Sequence, residues 1–426
     1  MTSGDGQSDG LVSWSFGLLL RHHRGSRGLT QEELAERSGL SPYAISMLER
    51  GVRRAPRAWT VEFLADALKL DARERRALSE AARAPSEVAP SGPAPAAATW
   101  TLPRDVASFT GRQEELERLL VDTAAAPGGI SAIDGMAGVG KTAFTIHAAH
   151  RLAPRFPHGQ FYLDLHAHTA GQRPVAPGDA LKSLLLTAGV AARRIPRELD
   201  RRAAVWRDHL AGRQVLIVLD DAAGHEQVEP LLPGGAGCHV LITSRRRLAA
   251  LEDARPLTLG TLPPAAATDL LTRLVGDRVR EADPSTIALL VELCGHLPLA
   301  IGLVAGRLRS HPAWTASDMV RTLRDAKDGL SELQAEDVAV EAAFALSYHH
   351  LPADRQRLFR RLGLHPGLEI DVPSAAVLDG GDVAAVRAGL EALYIDHLID
   401  EPRPGRYRFH HLIRSYARAL AAQHDV

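Results

Sequence analysis

The segment IDGMAGVGKTAF, residues 133–144, constrains the fold of this chain more than any other stretch. It completes the pattern G-x-x-x-x-G-K-[ST], and the positions that define it are Gly135, Gly138, Gly140, Lys141 and Thr142. Glycines let the backbone curl until several N–H groups point at one anion, and a helix that follows adds the positive end of its dipole. Because an apolar run precedes the loop, the segment predicts a strand, a phosphate-binding loop and a helix.

The same loop predicts a bound ATP or ADP together with Mg²⁺. Lys141 is one of only four lysines in the chain, and its ammonium is expected on the β- and γ-phosphates. The Thr142 hydroxyl is expected to ligate Mg²⁺, and Val139 is assigned to the same nucleotide-binding loop. A structural turn without a ligand is the alternative, and a lysine placed here in a lysine-poor chain argues against it.

Two carboxylates, Asp220 and Asp221, follow the apolar run VLIVL. Carboxylates at the end of a buried strand are costly unless a cation or a water network uses them. Asp220 is therefore expected to hold Mg²⁺ with Thr142, and Asp221 to orient or deprotonate an attacking water. A solvent-exposed acidic turn is the alternative. Arg245 follows the next run, HVLITS, and is expected to contact a γ-phosphate.

Four apolar runs, GISAID, QFYLDL, VLIVLD and HVLITS, alternate with helical patterns between residues 103 and 259. Continuous rather than alternating apolarity predicts strands covered on both faces, hence a parallel α/β sheet. The pattern is helical from residue 261 to 327. It stays helical to the end except for LIDEPRPGRYRFH, which predicts a β-hairpin turning at residues 402–405, as in a winged helix.

The amino-terminal stretch LTQEELAERSGLSPYAISMLERG, residues 29–51, predicts two short helices joined by a tight turn. Thr30 and Glu33 form a capping box for the first helix, which ends at Ser38. Ser41 and Pro42 begin the second helix. Residues 21–60 contain eight arginines and four glutamates, whereas the net charge of the whole chain is −1. This local excess of positive charge favours DNA binding. A protein-docking helical hairpin is the alternative.

This stretch, with the RRAPR that follows, resembles the phage-repressor-like (XRE-type) helix-turn-helix family. The resemblance implies a structural pair between Arg24 and Glu49. It also implies a DNA-binding set of Gln31, Ser41, Pro42, Tyr43, Ser46, Met47, Arg50 and Arg57. Pro42 and Met47 offer no paired donors for a base edge, so shape and apolar contacts are expected to supply part of the selectivity. One unit alone should bind DNA weakly, so dimerisation or assembly is expected.

Residues 106–420 resemble the NB-ARC class of STAND signalling ATPases. The matching stretches are FTGR at 109–112, the phosphate-binding loop, VLDD, TSR, CGHLPLA at 294–300 and FHHLIRSYA at 409–417. The resemblance implies that Thr110 and Arg112 lie near the nucleotide, Pro298 against the adenine and His410 on the β-phosphate of ADP. His411 stands where the family has an aspartate, which puts the strength of an ADP-locked state in doubt.

The predicted architecture is multidomain: an all-α helix-turn-helix domain, an α/β P-loop NTPase domain with a parallel sheet, a small helical domain and a carboxyl-terminal winged helix. A Pro/Ala/Ser tract predicts a linker after the first domain. The expected boundaries are a disordered amino terminus at 1–15, the helix-turn-helix at 16–83, the linker at 84–105, the nucleotide domain at 106–260, the helical domain at 261–335 and the winged helix at 336–426.

Composition excludes several other classes of protein. The two cysteines, Cys238 and Cys294, lie far apart and have no metal-ligand spacing. His166 and His168 have metal-compatible spacing, but without a third ligand nearby no metal is expected there. No apolar run approaches the roughly 20 residues that span a bilayer, and the amino terminus does not have the pattern of a signal peptide. The expected location is the cytoplasm, at the nucleoid, without a membrane partner.

The sequence therefore predicts a transcription regulator switched by ATP and ADP, with slow ATP hydrolysis. The nucleotide is expected to control lid opening, self-assembly into a homo-oligomer and binding to a double-stranded DNA operator. The chain stops soon after the predicted winged helix, so either it is a fragment of a longer protein or its input arrives another way. The expected source of that input is an unidentified signal ligand or sensor protein. The alternatives are an ATPase of a defence or stress assembly whose amino-terminal helices dock a protein, and a constitutive DNA binder with a structural nucleotide.

Overall fold

The computed structural model describes residues 16–38, 40, 45, 48, 49, 58–83, 99–126, 128–276, 282–325, 333–335 and 338–425. The chain divides into two units, Met1–Ala94 and Pro95–Val426. The division falls inside the stretch predicted as a linker.

The described part of the first unit is helical. Its helices are α1 (Phe16–Ser26), α2 (Gln31–Ser38), α3 (Ala58–Ala67) and α4 (Ala72–Arg83). The predicted capping box is present at the start of α2: the Thr30 N–H donates to the Glu33 carboxylate at 2.8 Å, and the Glu33 N–H donates to the Thr30 hydroxyl at 3.1 Å. Leu34, Ile45 and Leu48 are buried in one hydrophobic cluster.

A buried carboxylate joins the elements of this unit. Glu49 is 8% exposed and accepts two hydrogen bonds from the Arg24 guanidinium, at 2.5 and 3.0 Å. Gln31 donates its side-chain N–H to the same carboxylate at 2.8 Å. The Arg24–Glu49 pair that the family resemblance implied is therefore present, and it holds two segments that lie 25 residues apart in the sequence.

The second unit is built on a six-stranded parallel sheet in the order β1-β3-β4-β5-β2-β6. The bounds are β1 (Thr99–Trp100), β2 (Ile130–Asp134), β3 (Gly159–Asp164), β4 (Leu216–Ala222), β5 (His239–Ser244) and β6 (Ala254–Thr258). The four predicted apolar runs are β2 to β5, so the prediction of a parallel α/β sheet is confirmed. Strands β1 and β6 were not predicted.

Helices cover both faces of this sheet. They are α5 (Gln113–Ala125), α6 (Lys141–Leu152), α7 (Pro177–Thr187), α8 (Leu199–Leu210) and α9 (His225–Val228). Along β4, Leu216 and Val218 pack into the cluster that contains α5 and α6, whereas Ile217 and Leu219 pack into the cluster that contains α7 and α8. Because successive side chains point to opposite faces, a strand with helices on both sides must be apolar throughout. We call residues 99–258 the α/β region.

A helical region follows at residues 264–325. Its described helices are α10 (Pro264–Val275), α11 (Pro284–Leu293), α12 (Pro298–Ser310) and α13 (Ala316–Asp325). Their buried side chains, among them Leu271, Val291, Leu308 and Leu323, belong to the same cluster as Phe144 and Val218 of the α/β region. One continuous core therefore joins this region to one face of the sheet.

The carboxyl-terminal region, residues 338–425, combines helices with a small antiparallel sheet. A short antiparallel pair, β7 (Gln334–Ala335) and β8 (Val338–Ala339), leads into it. It contains α14 (Val340–His349), α15 (Ala353–Gly363), α16 (Val372–Asp379), α17 (Val383–Ile395) and α18 (His411–His424), with strands β9 (Ile370–Asp371), β10 (Asp400–Arg403) and β11 (Arg406–Arg408) in the order β10-β11-β9. The winged helix predicted for this region stays a prediction.

The predicted hairpin is present, and its turn is shorter than expected. Strand β10 continues through Pro402 to Arg403, so only Pro404 and Gly405 separate it from β11. Proline lacks an N–H but is tolerated on an edge strand, and β10 is the outer strand of its sheet. Gly405 has φ of 70°, a left-handed conformation that favours glycine.

Candidate nucleotide-binding site

The phosphate-binding loop joins β2 to α6, as predicted. Three of its glycines are in conformations that other residues rarely adopt, with φ of 148° at Gly135, 78° at Gly138 and 93° at Gly140. Space is equally limiting, because a Cβ on Gly135 would lie 2.5 Å from the carbonyl oxygen of Leu259. Gly135 therefore requires glycine on two grounds, backbone conformation and close approach, whereas at Gly140 the backbone conformation is the ground.

Lys141 is the first residue of α6, and its ammonium lies inside the loop. The Nζ atom donates to the carbonyl oxygens of Gly135 at 2.8 Å and Met136 at 3.0 Å. An ammonium has three donors, so these two loop contacts leave one for a ligand oxygen. Loss of surrounding water, reinforced by the positive charge of Arg245, lowers the pKa of Lys141 to about 7, although nearby aspartates oppose the shift. A phosphate would supply the negative charge that keeps this lysine protonated.

Asp220, at the carboxyl end of β4, is surrounded by hydroxyl groups. It is 4% exposed and accepts hydrogen bonds from Thr142 at 3.0 Å, Tyr162 at 2.9 Å and Thr243 at 2.5 Å. Burial raises its pKa, while the three hydroxyls favour the ionised form. The structure thus brings Thr142 and Asp220, the two residues expected to hold Mg²⁺, to within hydrogen-bond distance. Their hard oxygen atoms suit that ion.

Asp221 has a different environment from its neighbour. Both of its carboxylate oxygens accept hydrogen bonds from His168, one from the backbone N–H at 2.6 Å and one from Nδ1 at 2.9 Å. Burial would raise the pKa of Asp221, but the hydrogen bonds and charge of His168 outweigh it and the pKa is lowered. Asp221 itself has φ of 52°, which is unusual for a residue with a side chain. The role predicted for Asp221, to orient or deprotonate an attacking water, stays a prediction.

Arg245 contacts the carboxyl-terminal region. It donates through Nη1 to the carbonyl oxygen of Ala343 at 2.6 Å and to the hydroxyl of Ser347 at 3.1 Å, both on α14. The neighbouring Arg246 pairs with Asp396 at 2.7 Å. The polar tip of β5 therefore holds two elements of the carboxyl-terminal region, and no sequence pattern indicated these partners.

A second contact between these regions lies immediately before the phosphate-binding loop. His397 is 7% exposed and Asp134 is 2% exposed, and His397 Nε2 lies 2.9 Å from Asp134 Oδ1. The Thr258 hydroxyl donates to the same carboxylate at 2.7 Å. Burial would raise the pKa of Asp134, but His397 and Thr258 outweigh it and the pKa is lowered. Sequence reasoning missed this pair because 263 residue positions separate its members.

Arg112 and Pro298 lie at the loop. Arg112 is 6% exposed and donates to the carbonyl oxygens of Val139, at 3.4 Å, and Gly260. Thr110 is half-buried, two residues before it. Pro298 begins α12, and its Cγ would be 3.7 Å from a Cβ on Gly140. The structure therefore brings Arg112 and Pro298 to the loop, and a place for Thr110 near the nucleotide stays a prediction.

His410 caps α18 and contacts the helical region. Its Nε2 donates to the carbonyl oxygen of Gly295 at 3.0 Å, and its Nδ1 accepts from the N–H of Leu412 at 3.3 Å. Burial first, and then the neighbouring His411, lower the pKa of His410 to about 4, so the ring is neutral at neutral pH. His410 thus joins the last helix to the segment that precedes Pro298. Contact with a β-phosphate stays a prediction.

The predicted DNA-binding residues lie mostly outside the described part of the chain. Only Gln31 is described, at the start of α2, where it donates to Glu49 rather than standing free. The residues outside the described part are Ser41, Pro42, Tyr43, Ser46, Met47, Arg50 and Arg57.

Comparison with known proteins supports both halves of this architecture. A family model described as "Helix-turn-helix domain" matches residues 15–78. The Regulatory protein AfsR of Streptomyces coelicolor is 40% identical over 353 residues, which cover 81% of this chain and 35% of that protein. The disease resistance protein RGA4 of Solanum bulbocastanum is 27% identical over 168 residues, covering 37% of this chain and 16% of that one.

A solved structure of similar fold is the Walker-type ATPase PABY2304 of Pyrococcus abyssi. It has a TM-score of 0.51 and 15% identity, and the match covers 73% of this chain and 96% of that one. This similarity extends the P-loop ATPase fold to most of the second unit. The chain therefore carries an amino-terminal helix-turn-helix domain, and its second unit has the fold of a P-loop ATPase.

The chain spans about a third of the length of the AfsR proteins it matches. Within its described residues, no helix is both long and apolar enough to cross a lipid bilayer. The same residues contain no group of three or more histidine, cysteine, aspartate or glutamate side chains suited to a metal ion. Thr142 and Asp220 offer oxygen donors of the kind that Mg²⁺ prefers, in company with a nucleotide.

Proposed function

We propose that this protein is a DNA-binding transcription regulator whose activity is set by ATP and ADP. The proposal rests on one observation: the same chain contains a helix-turn-helix domain and a phosphate-binding loop. Residues beside that loop, Asp134 and Arg245, contact the carboxyl-terminal region. The name of the Streptomyces relative, a regulatory protein, agrees with it. Lys141 and the loop N–H groups would bind the phosphates, and Thr142 with Asp220 would hold Mg²⁺, which supplies positive charge to the phosphates.

Arg245 is the residue that would distinguish the two nucleotides. In the described arrangement its guanidinium donates to a carbonyl and a hydroxyl of α14. A hydrogen bond between a guanidinium and a phosphate is charge-assisted and stronger than one to a neutral oxygen. Arg245 would therefore leave Ala343 and Ser347 when a γ-phosphate is present, and α14 would lose an anchor. The carboxyl-terminal region would then act as a lid that ATP releases.

Lid release would act on DNA binding through assembly. A nucleotide can shift an equilibrium only by its different affinities for the two forms, typically about 1–3 kcal/mol. An open form that self-associates would bring several weak helix-turn-helix units to one operator and multiply their affinity. Slow hydrolysis of ATP would return the protein to the closed form.

Binding of the full chain to a pool of genomic DNA fragments tests the proposal. Wild-type protein should differ in DNA affinity by about fivefold or more between ADP and ATP, and the affinity should fall steeply as salt rises. Lys141→Ala should lose nucleotide binding and the nucleotide-dependent difference together. Lys182→Ala is the matched control, because Lys182 is exposed on α7 and away from the loop.

Two outcomes would reject the proposal in different ways. If Lys141→Ala lost the nucleotide but kept the same difference between ADP and ATP in DNA affinity, nucleotide would not control DNA binding. If wild-type protein bound nucleotide but no DNA at any salt concentration, the amino-terminal helices would dock a protein instead.

A further inference from the structure

Tyr162 donates a hydrogen bond to Asp220 from the neighbouring strand. Its hydroxyl, on β3, lies 2.9 Å from Asp220 Oδ2. On the other side of β4, the Thr243 hydroxyl of β5 donates to Oδ1 at 2.5 Å. The two strands that flank β4 therefore each supply one hydroxyl, and each hydroxyl takes a different oxygen of the carboxylate. Together they fix the plane of the carboxylate as well as its position.

The register of the strands explains why this contact needs a tyrosine. Tyr162 lies opposite Val218, two residues before Asp220 on β4. Residues two positions apart on a strand share a face, and strands about 4.8 Å apart that rise about 3.3 Å per residue place such diagonal neighbours roughly 8 Å apart at Cα. A serine or threonine hydroxyl is too short to cross that distance, whereas the tyrosine hydroxyl lies at the far end of a ring.

The phenol of Tyr162 is a fixed donor at neutral pH. Burial and the negative charge of Asp220 both raise the pKa of Tyr162, so the phenol keeps its hydrogen. An ionised carboxylate only accepts hydrogen bonds, so this hydrogen points at Asp220. Burial also raises the pKa of Asp220, and the hydrogen bonds from Thr243, Tyr162 and Thr142 oppose that shift. Tyr162 therefore stabilises the negative charge that a cation needs.

The segment that follows β1, at the edge of the sheet, holds the backbone of Tyr162. The Tyr162 N–H donates to the Thr101 hydroxyl at 2.8 Å, and the Thr101 N–H donates to the carbonyl oxygen of Gln160 at 3.0 Å. The side chain of Tyr162 is half-buried and packs against the hydrophobic cluster that contains α5 and α6. Tyr162 is thus held at its backbone, its ring and its hydroxyl.

We propose that Tyr162 is a positioning residue for the carboxylate of Asp220 at the Mg²⁺ site. This inference rests on the proposed nucleotide function. A carboxylate oxygen has two lone pairs, so one hydroxyl on each oxygen leaves another lone pair toward Thr142, which lies 3.0 Å from both oxygens. Without the Tyr162 hydroxyl, Oδ2 would lose its donor from β3 and the carboxylate would be free to turn. Loss of a group that orients a metal ligand typically lowers metal affinity about 10–100-fold.

Titration calorimetry of the full chain with ADP, in the presence and absence of Mg²⁺, tests the assignment. Tyr162→Phe keeps the ring in the core and removes only the hydroxyl. Its affinity for ADP should fall about tenfold with Mg²⁺ and stay within about twofold of wild type without Mg²⁺, because only the metal-dependent part uses Asp220. Tyr407→Phe is the matched control, since it removes the same atom from a buried tyrosine on β11. It should leave both affinities unchanged.

Thr101→Val separates the hydroxyl of Tyr162 from the segment that supports its backbone. The substitution removes the acceptor of the Tyr162 N–H and leaves the phenol in place. The Mg²⁺-dependent affinity should therefore fall less than in Tyr162→Phe. In the double variant, the loss should match that of Tyr162→Phe alone, because both substitutions act through the same hydroxyl.

The outcomes separate this inference from the proposed function. An unchanged Mg²⁺-dependent affinity in Tyr162→Phe would overturn the assignment, and so would an equal loss with and without Mg²⁺, which marks a structural role. A larger loss in Thr101→Val than in Tyr162→Phe would overturn it too, because the hydroxyl would not be what positions Asp220. Wild-type protein that binds ADP equally well with and without Mg²⁺ would end this inference but leave the switch, whereas failure to bind nucleotide would end the proposed function.

Discussion

On one side of the phosphate-binding loop, Asp220 accepts hydrogen bonds from Thr142, Tyr162 and Thr243, which all belong to the α/β region. On the other side, Asp134 and Arg245 take partners from the carboxyl-terminal region, at His397 and on α14. The first side can form its contacts whatever the position of the carboxyl-terminal region. The second side can form them only when that region is closed against the loop.

In the proposed switch, this difference separates two tasks of one loop. A ligand site needs preorganised groups, and the Asp220 side supplies them from a single rigid sheet. A switch needs an element with two arrangements, and the contacts of Asp134 and Arg245 exist in only one of them. Substitutions on the Asp220 side should therefore change nucleotide affinity, and substitutions on the other side should change opening.

The largest expected effect on opening comes from His397→Ala. Removing the imidazole leaves the buried Asp134 carboxylate with Thr258 and without His397, so the closed form should lose up to about 3 kcal/mol, the upper end for a bond to a charged group. Native-state hydrogen exchange across residues 383–408 measures this loss. In the double variant Asp134→Asn with His397→Ala, part of the stability should return. Unchanged exchange in His397→Ala would remove the distinction between the two sides.

Thr142→Val should change nucleotide affinity, because Thr142 lies on the Asp220 side of the loop. The substitution keeps the shape of the side chain and removes the hydroxyl that Mg²⁺ and Asp220 would use. We expect the affinity for ADP to fall about tenfold or more when Mg²⁺ is present, because a bond to a charged group is worth about 1.5–3 kcal/mol. Titration calorimetry with and without Mg²⁺ gives the comparison. Faster hydrogen exchange in the carboxyl-terminal region of this variant would contradict the assignment of Thr142 to nucleotide binding rather than to opening.

Acidification should favour opening through His410. Its pKa is about 4 in the closed form against 6.5 in an open, hydrated form, so the open form binds the proton more tightly. The closed form therefore keeps its full stability above about pH 6.5 and loses it as the pH falls toward 4. At pH 5 the loss should be about 2 kcal/mol. His410→Gln keeps a donor for Gly295 without a titrating group, and its hydrogen exchange should depend less on pH.

Arg246→Ala should have the smallest effect. Its guanidinium is 48% exposed, and a solvent-exposed pair such as Arg246–Asp396 contributes about 1 kcal/mol or less. Hydrogen exchange should change slightly at low salt and not at high salt. A larger effect than that of His397→Ala would mean that exposed charges, rather than the buried pair, hold the region closed.

Local patterns gave much of the fold in advance. The strands β2 to β5 were predicted because both of their faces are covered and their sequences are continuously apolar. Strand β6 was missed because it lies at the edge of the sheet, contains Pro256 and exposes Thr258. Thr30 and Glu33 were predicted as a capping box because that motif depends on four consecutive residues.

The candidate site was predictable only where its residues share a motif. The phosphate-binding loop, with Lys141 and Thr142, came from one continuous segment. The partners of Asp221 and Asp134 could not be predicted, because His168 and His397 are brought there by strand order and region packing rather than by spacing. Arg245 was recognised from its place after β5, yet its contact with α14 depends on a helix about 100 residues later.

Gly295 lies beneath the two imidazole rings that begin the last helix. It has φ of 61°, and a methyl group there would lie 2.7 Å from Cε1 of His411 and closer still to His410. A single added carbon would thus act as a wedge between the helical region and α18 by displacing His410, while the contacts of Arg245 and His397 would keep their side chains. Gly295→Ala offers a permanently released protein in which the consequences of opening could be studied without any nucleotide.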